Sequence, residues 1–235
     1  MMMKLHLRSE IRRFIGNYPK LFYSSYGLKA LNRKLSVKPD TDIVIEGYPR
    51  SANTFAVLAF ENMHGNHLNL KIAHHLHVPA QIYQAINFKI PLLILIRHPK
   101  DCITSLKLRE PSVSIDQALR HYTSFYKIIA KNKNHCIIGN FDDVIHNYGQ
   151  VIAKVNQKFG TSFVTITPTK DETKKIFDTI SNINKVFSND RELSLSAPSK
   201  KKEEAKLKIK ETLNSCFYAD KLSSATDYYE SLTNS

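Results

Sequence analysis

Ile43-Val44-Ile45-Glu46-Gly47-Tyr48-Pro49-Arg50-Ser51-Ala52-Asn53-Thr54-Phe55-Ala56-Val57-Leu58-Ala59-Phe60 reads as a strand, a loop crowded with hydrogen-bond donors, and a helix. The run Ile43–Ile45 is short, β-branched and bounded by Gly47 and Pro49, the pattern of a buried strand, while Phe55, Leu58, Ala59 and Met63 recur at helical spacing. Backbone N–H groups in the first turn of a helix have no partner within it, and together with the helix dipole they attract phosphate. Arg50, Ser51 and Thr54 add side-chain donors. An ordinary strand-to-helix turn has the same order of elements, and the Gly-x-x-x-x-Gly-Lys-Ser/Thr spacing of ATPases and GTPases is absent.

A second junction of the same kind follows. Pro91-Leu92-Leu93-Ile94-Leu95-Ile96 is continuously apolar, as is a strand buried on both faces of a parallel sheet. It ends at Arg97-His98-Pro99-Lys100-Asp101, with a helix expected from Lys100 to about Arg109. Charged residues at the carboxyl end of a buried strand stand where open α/β sheets bind ligands, and an arginine closing the sheet edge is the plainer reading. Asp101 is expected to cap the helix or to orient Arg97.

Between the junctions, Ala73-His74-His75-Leu76-His77 precedes a helix opened by Val78-Pro79. In an extended segment His75 and His77 share a face and could supply two metal ligands, although no carboxylate or cysteine lies close by in sequence. They can equally be histidines without a special role. One can instead act as a general base, since an imidazole of pKa about 6.5 is largely neutral at neutral pH.

The length of 235 residues suits one α/β domain over 1–235, with a helical lead over 1–38 and a C-terminal loop and helix over 190–235. With 42% apolar and 23% charged residues, the chain has the composition of a globular protein rather than a disordered one. A formal net charge of +13 calls for an anionic partner: a nucleic acid, a membrane surface, or a polyanionic nucleotide with an acidic acceptor. Cys102, Cys136 and Cys216 are dispersed and odd in number, which argues against a disulfide framework or a structural zinc. Residues 1–16 are basic with no apolar core, unlike a secretory signal, and the run Ile90–Ile96 is too short to span a bilayer. A cytoplasmic, reducing location is therefore expected.

Elsewhere, Ser9 to Leu35 reads as helices beside the sheet, or as a basic amphipathic lead able to touch a membrane. Ser114-Ile115-Asp116-Gln117 is a capping box opening a long helix whose stripe of Leu119, Tyr122, Phe125, Tyr126 and Ile129 reads as core. A strand at Cys136–Ile138, helices over 148–159 and about 171–187, a polar loop over 188–199 and a last charged helix complete the chain.

The loop from Tyr48 to Phe55 resembles the 5′-phosphosulfate loop of sulfotransferases, usually Tyr-Pro-Lys-Ser-Gly-Thr-Thr-Trp. Arg97, Pro99, Asp101 and Ser105 are similar to that family's Arg-x-Pro-x-Asp with a serine eight residues beyond the arginine, which together hold the donor's 3′-phosphate. Ala73-His74-His75-Leu76 resembles its Lys-Thr-His-Leu, and Phe141-Asp142-Asp143-Val144 its Tyr-Glu-Asp-Leu. The likeness spans Ile43 to Ser105 and continues more weakly to about Phe159.

The resemblance implies an α/β fold, a single three-layer domain with a central parallel β-sheet flanked by helices, similar to the P-loop NTPases. It implies transfer of a sulfuryl group from 3′-phosphoadenosine 5′-phosphosulfate to a hydroxyl of a small molecule, lipid or glycan, with no metal and no nucleic-acid partner. On that likeness Ser51, Ala52, Asn53 and Thr54 hold the 5′-phosphate, Phe55 stacks on adenine, and Arg97 and Ser105 hold the 3′-phosphate. Arg50 would stabilise the leaving group, and His75 would be the base with His74 as the alternative. Arg50 stands where the family has lysine and cannot surrender a proton. Ala52 stands where it has glycine, which argues against left-handed backbone there, and Asn53 replaces a threonine. The family's C-terminal Gly-x-x-Gly-x-x-Lys is missing, so Lys200, Lys201 or Lys202 is expected to reach the 3′-phosphate instead. The rival readings are a nucleotide or small-molecule kinase with a degenerate phosphate loop, and a non-catalytic basic nucleic-acid-binding module.

Overall fold

Two uninterrupted apolar runs become the middle of the sheet. β1 (Ile43–Gly47) and β3 (Leu92–Ile96) are buried along their whole length, because a strand covered on both faces needs apolar side chains on both. They pair in parallel with Ile45 opposite Leu93. β2 (Ile72–His74) adds to the free side of β1 and β4 (Ile137–Asn140) to the free side of β3, giving an all-parallel sheet in the order β2-β1-β3-β4. The computed structural model describes residues 10–25, 29–65, 69–187 and 200–234, without the side chains of 30–31, 184–187 and 200–202. The expected polar loop over 188–199 lies outside the described residues.

Parallel strands require crossovers, and helices supply them. In chain order the helices are α1 (Pro19–Ser24), α2 (Ala30–Leu35), α3 (Asn53–His64), α4 (Pro79–Phe88), α5 (Pro99–Arg109) and α6 (Ile115–Lys131), the last four of which make the crossovers. The helices continue with α7 (Phe141–His146), α8 (Tyr148–Phe159), α9 (Lys170–Phe187), α10 (Lys200–Leu213) and α11 (Ala219–Thr233). Alternation along the strands divides the core. Ile43, Ile45, Leu93 and Leu95 pack with α3 and α8 on one face, and Val44, Leu92, Ile94 and Ile96 with α4, α5 and α6 on the other. The three-layer α/β architecture expected from the sequence is the one observed.

The strand order places the site. The chain leaves β1 toward β2 and returns past β1 to β3, so the direction reverses between two adjacent strands whose carboxyl ends feed the loops 48–52 and 97–98. Gly47 ends β1 where β3 approaches it so closely that a Cβ would stand 2.4 Å from the Leu95 carbonyl oxygen. Among the described residues, no helix is long and apolar enough to cross a membrane.

Candidate anion-binding site

The loop after β1 is held from below by the aromatic stripe of α6. The Tyr126 hydroxyl donates to the Leu95 carbonyl at 2.7 Å, accepts the Tyr48 N–H at 3.3 Å and lies 3.2 Å from the Ser51 hydroxyl. One turn away, the Tyr122 hydroxyl donates to the Arg97 carbonyl at 2.7 Å. Both junctions therefore rest on one helix. The stripe read as core is core, and its two hydroxyl groups also position the loops.

The backbone at Ala52 is left-handed, with φ of 72°, and so is that at Arg50, with φ of 75°. This corrects the expectation drawn from the missing glycine. A Cβ in this region costs about 1–2 kcal/mol, and the Tyr126 hydrogen bonds together with the bond from Asn53 Nδ2 to the Tyr48 carbonyl at 3.0 Å hold the turn against that cost. The left-handed residue at Ala52 leads into α3, whose N-terminus carries no side-chain cap. Its first N–H groups stay available to a ligand.

Arg50, Arg97 and Arg109 all line one cavity of about 720 Å³ at the carboxyl ends of the strands. Arg50 Nε donates to Ser105 Oγ at 3.0 Å, and Arg97 Nη1 donates to the Arg50 carbonyl at 3.4 Å. The Arg97 guanidinium lies 4.0 Å above the Phe141 ring. Burial first, then the charges of Arg109 and Arg97, press the Arg50 guanidinium below its usual pKa. Arg109 Nη1 is buried with no hydrogen-bond partner among the described residues. None of these three guanidinium groups has a carboxylate partner among the described ion pairs. Half-buried cations without such partners make a candidate site for an anion.

The histidines divide by what they touch. Nε2 of His75 lies 3.0 Å from the Thr54 hydroxyl and its Nδ1 is hydrogen-bonded to Nδ1 of His74, so both ring nitrogens are engaged. Burial, reinforced by the neighbouring His77 and His74, pushes its pKa down to about 4. His77, considered in the sequence reading only as a candidate metal ligand beside His75, is arranged differently. Its Nδ1–H donates to the Gly47 carbonyl at 2.6 Å, and a carbonyl only accepts, so the lone pair is left on Nε2. Glu46, fully buried in β1, stands 3.4 Å from the same Nδ1 and accepts the N–H of Leu76 at 2.7 Å and of His77 at 3.2 Å. Burial alone would raise the Glu46 pKa; the hydrogen bond and charge of His77 and the Leu76 N–H prevail and hold it below 4.5.

Other expected site residues fall as follows. Ala52, Asn53 and Thr54 line the cavity. Ser51 is buried with its hydroxyl between Tyr126 and Cys102. Phe55 lines the cavity but is only 2% exposed, and Phe177 of α9 lies 5.4 Å away, ring centre to ring centre. Asp101 neither caps α5 nor bonds Arg97; it pairs with Lys210 of α10 at 2.8 Å, which corrects that expectation. The side chains of Lys200, Lys201 and Lys202 lie outside the described residues, and it is Lys206 and Lys210, farther along the same helix, that reach the cavity. Among the described residues no three His, Cys, Asp or Glu side chains are grouped as metal ligands.

Neither a protein-family profile nor a curated protein matches the chain. Among solved structures the fold is similar to mouse sulfotransferase SULT7A1 complexed with PAP, with a TM-score of 0.40 and 12% identity over 82% of this chain and 90% of that one.

Proposed function

We propose that the protein is a sulfotransferase that moves a sulfuryl group from 3′-phosphoadenosine 5′-phosphosulfate to a hydroxyl acceptor. The observation that carries the reading is the convergence of Arg50, Arg97, Ser105 and Arg109 on one cavity beside an uncapped helix N-terminus. The two motifs that resemble the donor loops of sulfotransferases thus share one site. A nucleotide with phosphates at both ends would span it, which an ordinary helix turn would not require.

Arg50 and the first N–H groups of α3 are assigned to the 5′-phosphate, where the leaving group gains charge. Donors fixed in advance around that oxygen supply most of the acceleration in such a transfer. Arg50 works as a fixed cation, and the phosphate leaves as an anion with no proton from it. Arg97 and Ser105 are assigned to the 3′-phosphate, with Lys206 and Lys210 supplying the cations expected from Lys200 and Lys201. Phe55 and Phe177 are assigned to the adenine end.

Of the histidines, His77 is assigned as the base. Its Nε2 has no hydrogen-bond partner among the described residues and its tautomer is fixed by Gly47, with the Glu46 carboxylate 3.4 Å from the same Nδ1, whereas both nitrogens of His75 are committed. The acceptor O–H proton passes to Nε2, the acceptor oxygen forms a bond to sulfur, and the bond from sulfur to the phosphate oxygen breaks. The products are the sulfated acceptor and adenosine 3′,5′-bisphosphate, and the proton leaves His77 to solvent.

The test is calorimetric titration with adenosine 3′,5′-bisphosphate and, separately, with ATP and Mg²⁺. Micromolar binding of the bisphosphate without a metal is expected. Binding of ATP alone would replace the sulfotransferase with a kinase.

A further inference from the structure

A second cavity, of about 280 Å³, lies behind the first, and Pro49, His77 and Glu110 line both. The wall between them is therefore built around the histidine assigned as base. The rest of the second cavity combines an apolar body, including Leu76, Val78, Leu106 and Phe125, with two cations of the N-terminal lead, Arg12 and Arg13. Arg12 Nη2 donates to the Leu76 carbonyl at 3.1 Å, next to His77. Arg13 pairs with Glu10 at 3.1 Å through Nη2, while its Nε is buried with no hydrogen-bond partner among the described residues.

We propose that this second cavity receives the acceptor, and that the acceptor is a small hydroxy acid whose carboxylate meets Arg13 and Arg12 while its hydroxyl meets His77. The proposal rests on the sulfotransferase reading and names the substrate class of the same centre. The volume lies just below the about 300–1,000 Å³ usual for ligand sites, which suits a single ring or a short chain better than a glycan or a lipid tail. The apolar side chains fit the body of such a molecule. Arg12 and Arg13 both line the cavity, and the planar fork of guanidinium N–H donors is the geometry that a carboxylate matches. Glu110 is the one carboxylate among the described lining residues; standing on the shared wall, it repels an acid group there and favours the orientation with the hydroxyl toward His77.

The experiment uses the full chain, the phosphosulfate donor, and two matched pairs of acceptors: 4-hydroxybenzoate with 4-hydroxybenzamide, and 4-hydroxyphenylacetate with its amide. Transfer is followed by mass spectrometry, and affinity for adenosine 3′,5′-bisphosphate is measured in parallel as a sign that each variant is folded. Each acid is expected to exceed its amide in kcat/KM by at least about tenfold, the size of one charge-assisted hydrogen bond. Arg13→Gln should erase that preference through KM with kcat largely kept, and Arg13→Lys should restore part of it. Bisphosphate binding without transfer to either acid overturns the proposal and leaves the sulfotransferase standing. So does an equal rate with the amides, or a preference that survives both Arg12→Gln and Arg13→Gln. Absence of bisphosphate binding by the unmodified chain overturns both.

Discussion

Arg50 Nε lies 3.0 Å from Ser105 Oγ, although the two residues are 55 apart in the chain. A half-buried cation thus meets a neutral hydroxyl where an ion-pair partner would be usual, and a bound phosphate would complete its shell. Arg50→Gln is expected to weaken adenosine bisphosphate binding by about 10–100-fold, the worth of a charge-assisted hydrogen bond lost from a buried site. Ser105→Ala, which removes one neutral bond, should cost about 2–10-fold. Titration calorimetry separates the two, and an unchanged affinity in Arg50→Gln would remove the cavity from consideration.

The division of labour among the histidines predicts unequal losses. His77→Ala should lower kcat by about 10²–10⁴-fold, the usual worth of a positioned base, and leave bisphosphate affinity intact. His75→Gln retains a hydrogen bond to Thr54 and should cost less than about tenfold in kcat. Equal losses in the two variants would return the base assignment to His75.

Acid should destabilise the fold through the same cluster. Burial holds His75 near 4 against a usual 6.5, so the folded protein keeps it neutral while the unfolded chain binds a proton. That contribution is complete above pH 6.5 and is lost as pH falls from 6.5 toward 4, amounting to roughly 3 kcal/mol at most. His74, also lowered by burial, acts in the same direction, and Glu46, held below 4.5, adds to the loss at still lower pH. Urea midpoints at pH 7.5 and 4.5 should differ strongly in the unmodified chain and less in His75→Gln. Identical slopes would mean that His75 is not buried neutral.

Two small residues test the loop. Gly47→Ala sets a Cβ 2.4 Å from the Leu95 carbonyl and should cost about 2–3 kcal/mol or more by forcing β1 and β3 apart. Ala52→Gly relieves about 1 kcal/mol of left-handed strain but frees the unfolded chain by a similar amount, so little change is expected. Ala52→Val, β-branched at a φ of 72°, should lose about 1–3 kcal/mol. Chemical denaturation of the three variants gives the ranking.

The sheet was legible because β1 and β3 are apolar on both faces, a pattern that few other elements produce, and the Ser114 cap appears as expected, accepting the Gln117 N–H at 3.0 Å. The two strand-to-helix loops were legible because Arg50, Arg97 and Ser105 hold fixed offsets from their strands, and the structure brings all three to one cavity. What local spacing could not convey is long-range. Ala52 adopts its strained backbone through Tyr126, a partner far along the chain, and no neighbour in sequence announces that. Helix α11 escaped notice because its inward residues, Leu222, Ala225, Tyr228, Tyr229 and Leu232, are interrupted by polar ones and find their partners on α6. Lysines six or ten residues beyond Lys200 stand about 9–15 Å farther along a helix at 1.5 Å per residue, so locating the cations required the position of α10. The role proposed for His77 rests in part on Glu46, a carboxylate in a buried strand whose place beside it appears only once the fold brings them together.

The partition made by Pro49, His77 and Glu110 has a kinetic consequence. Under the proposed assignment donor and acceptor bind on opposite sides of that partition and meet only at its three residues, so neither has to arrive first. Initial-rate plots would then intersect in the manner of a random sequential mechanism, and an excess of acceptor would not trap the spent nucleotide inside.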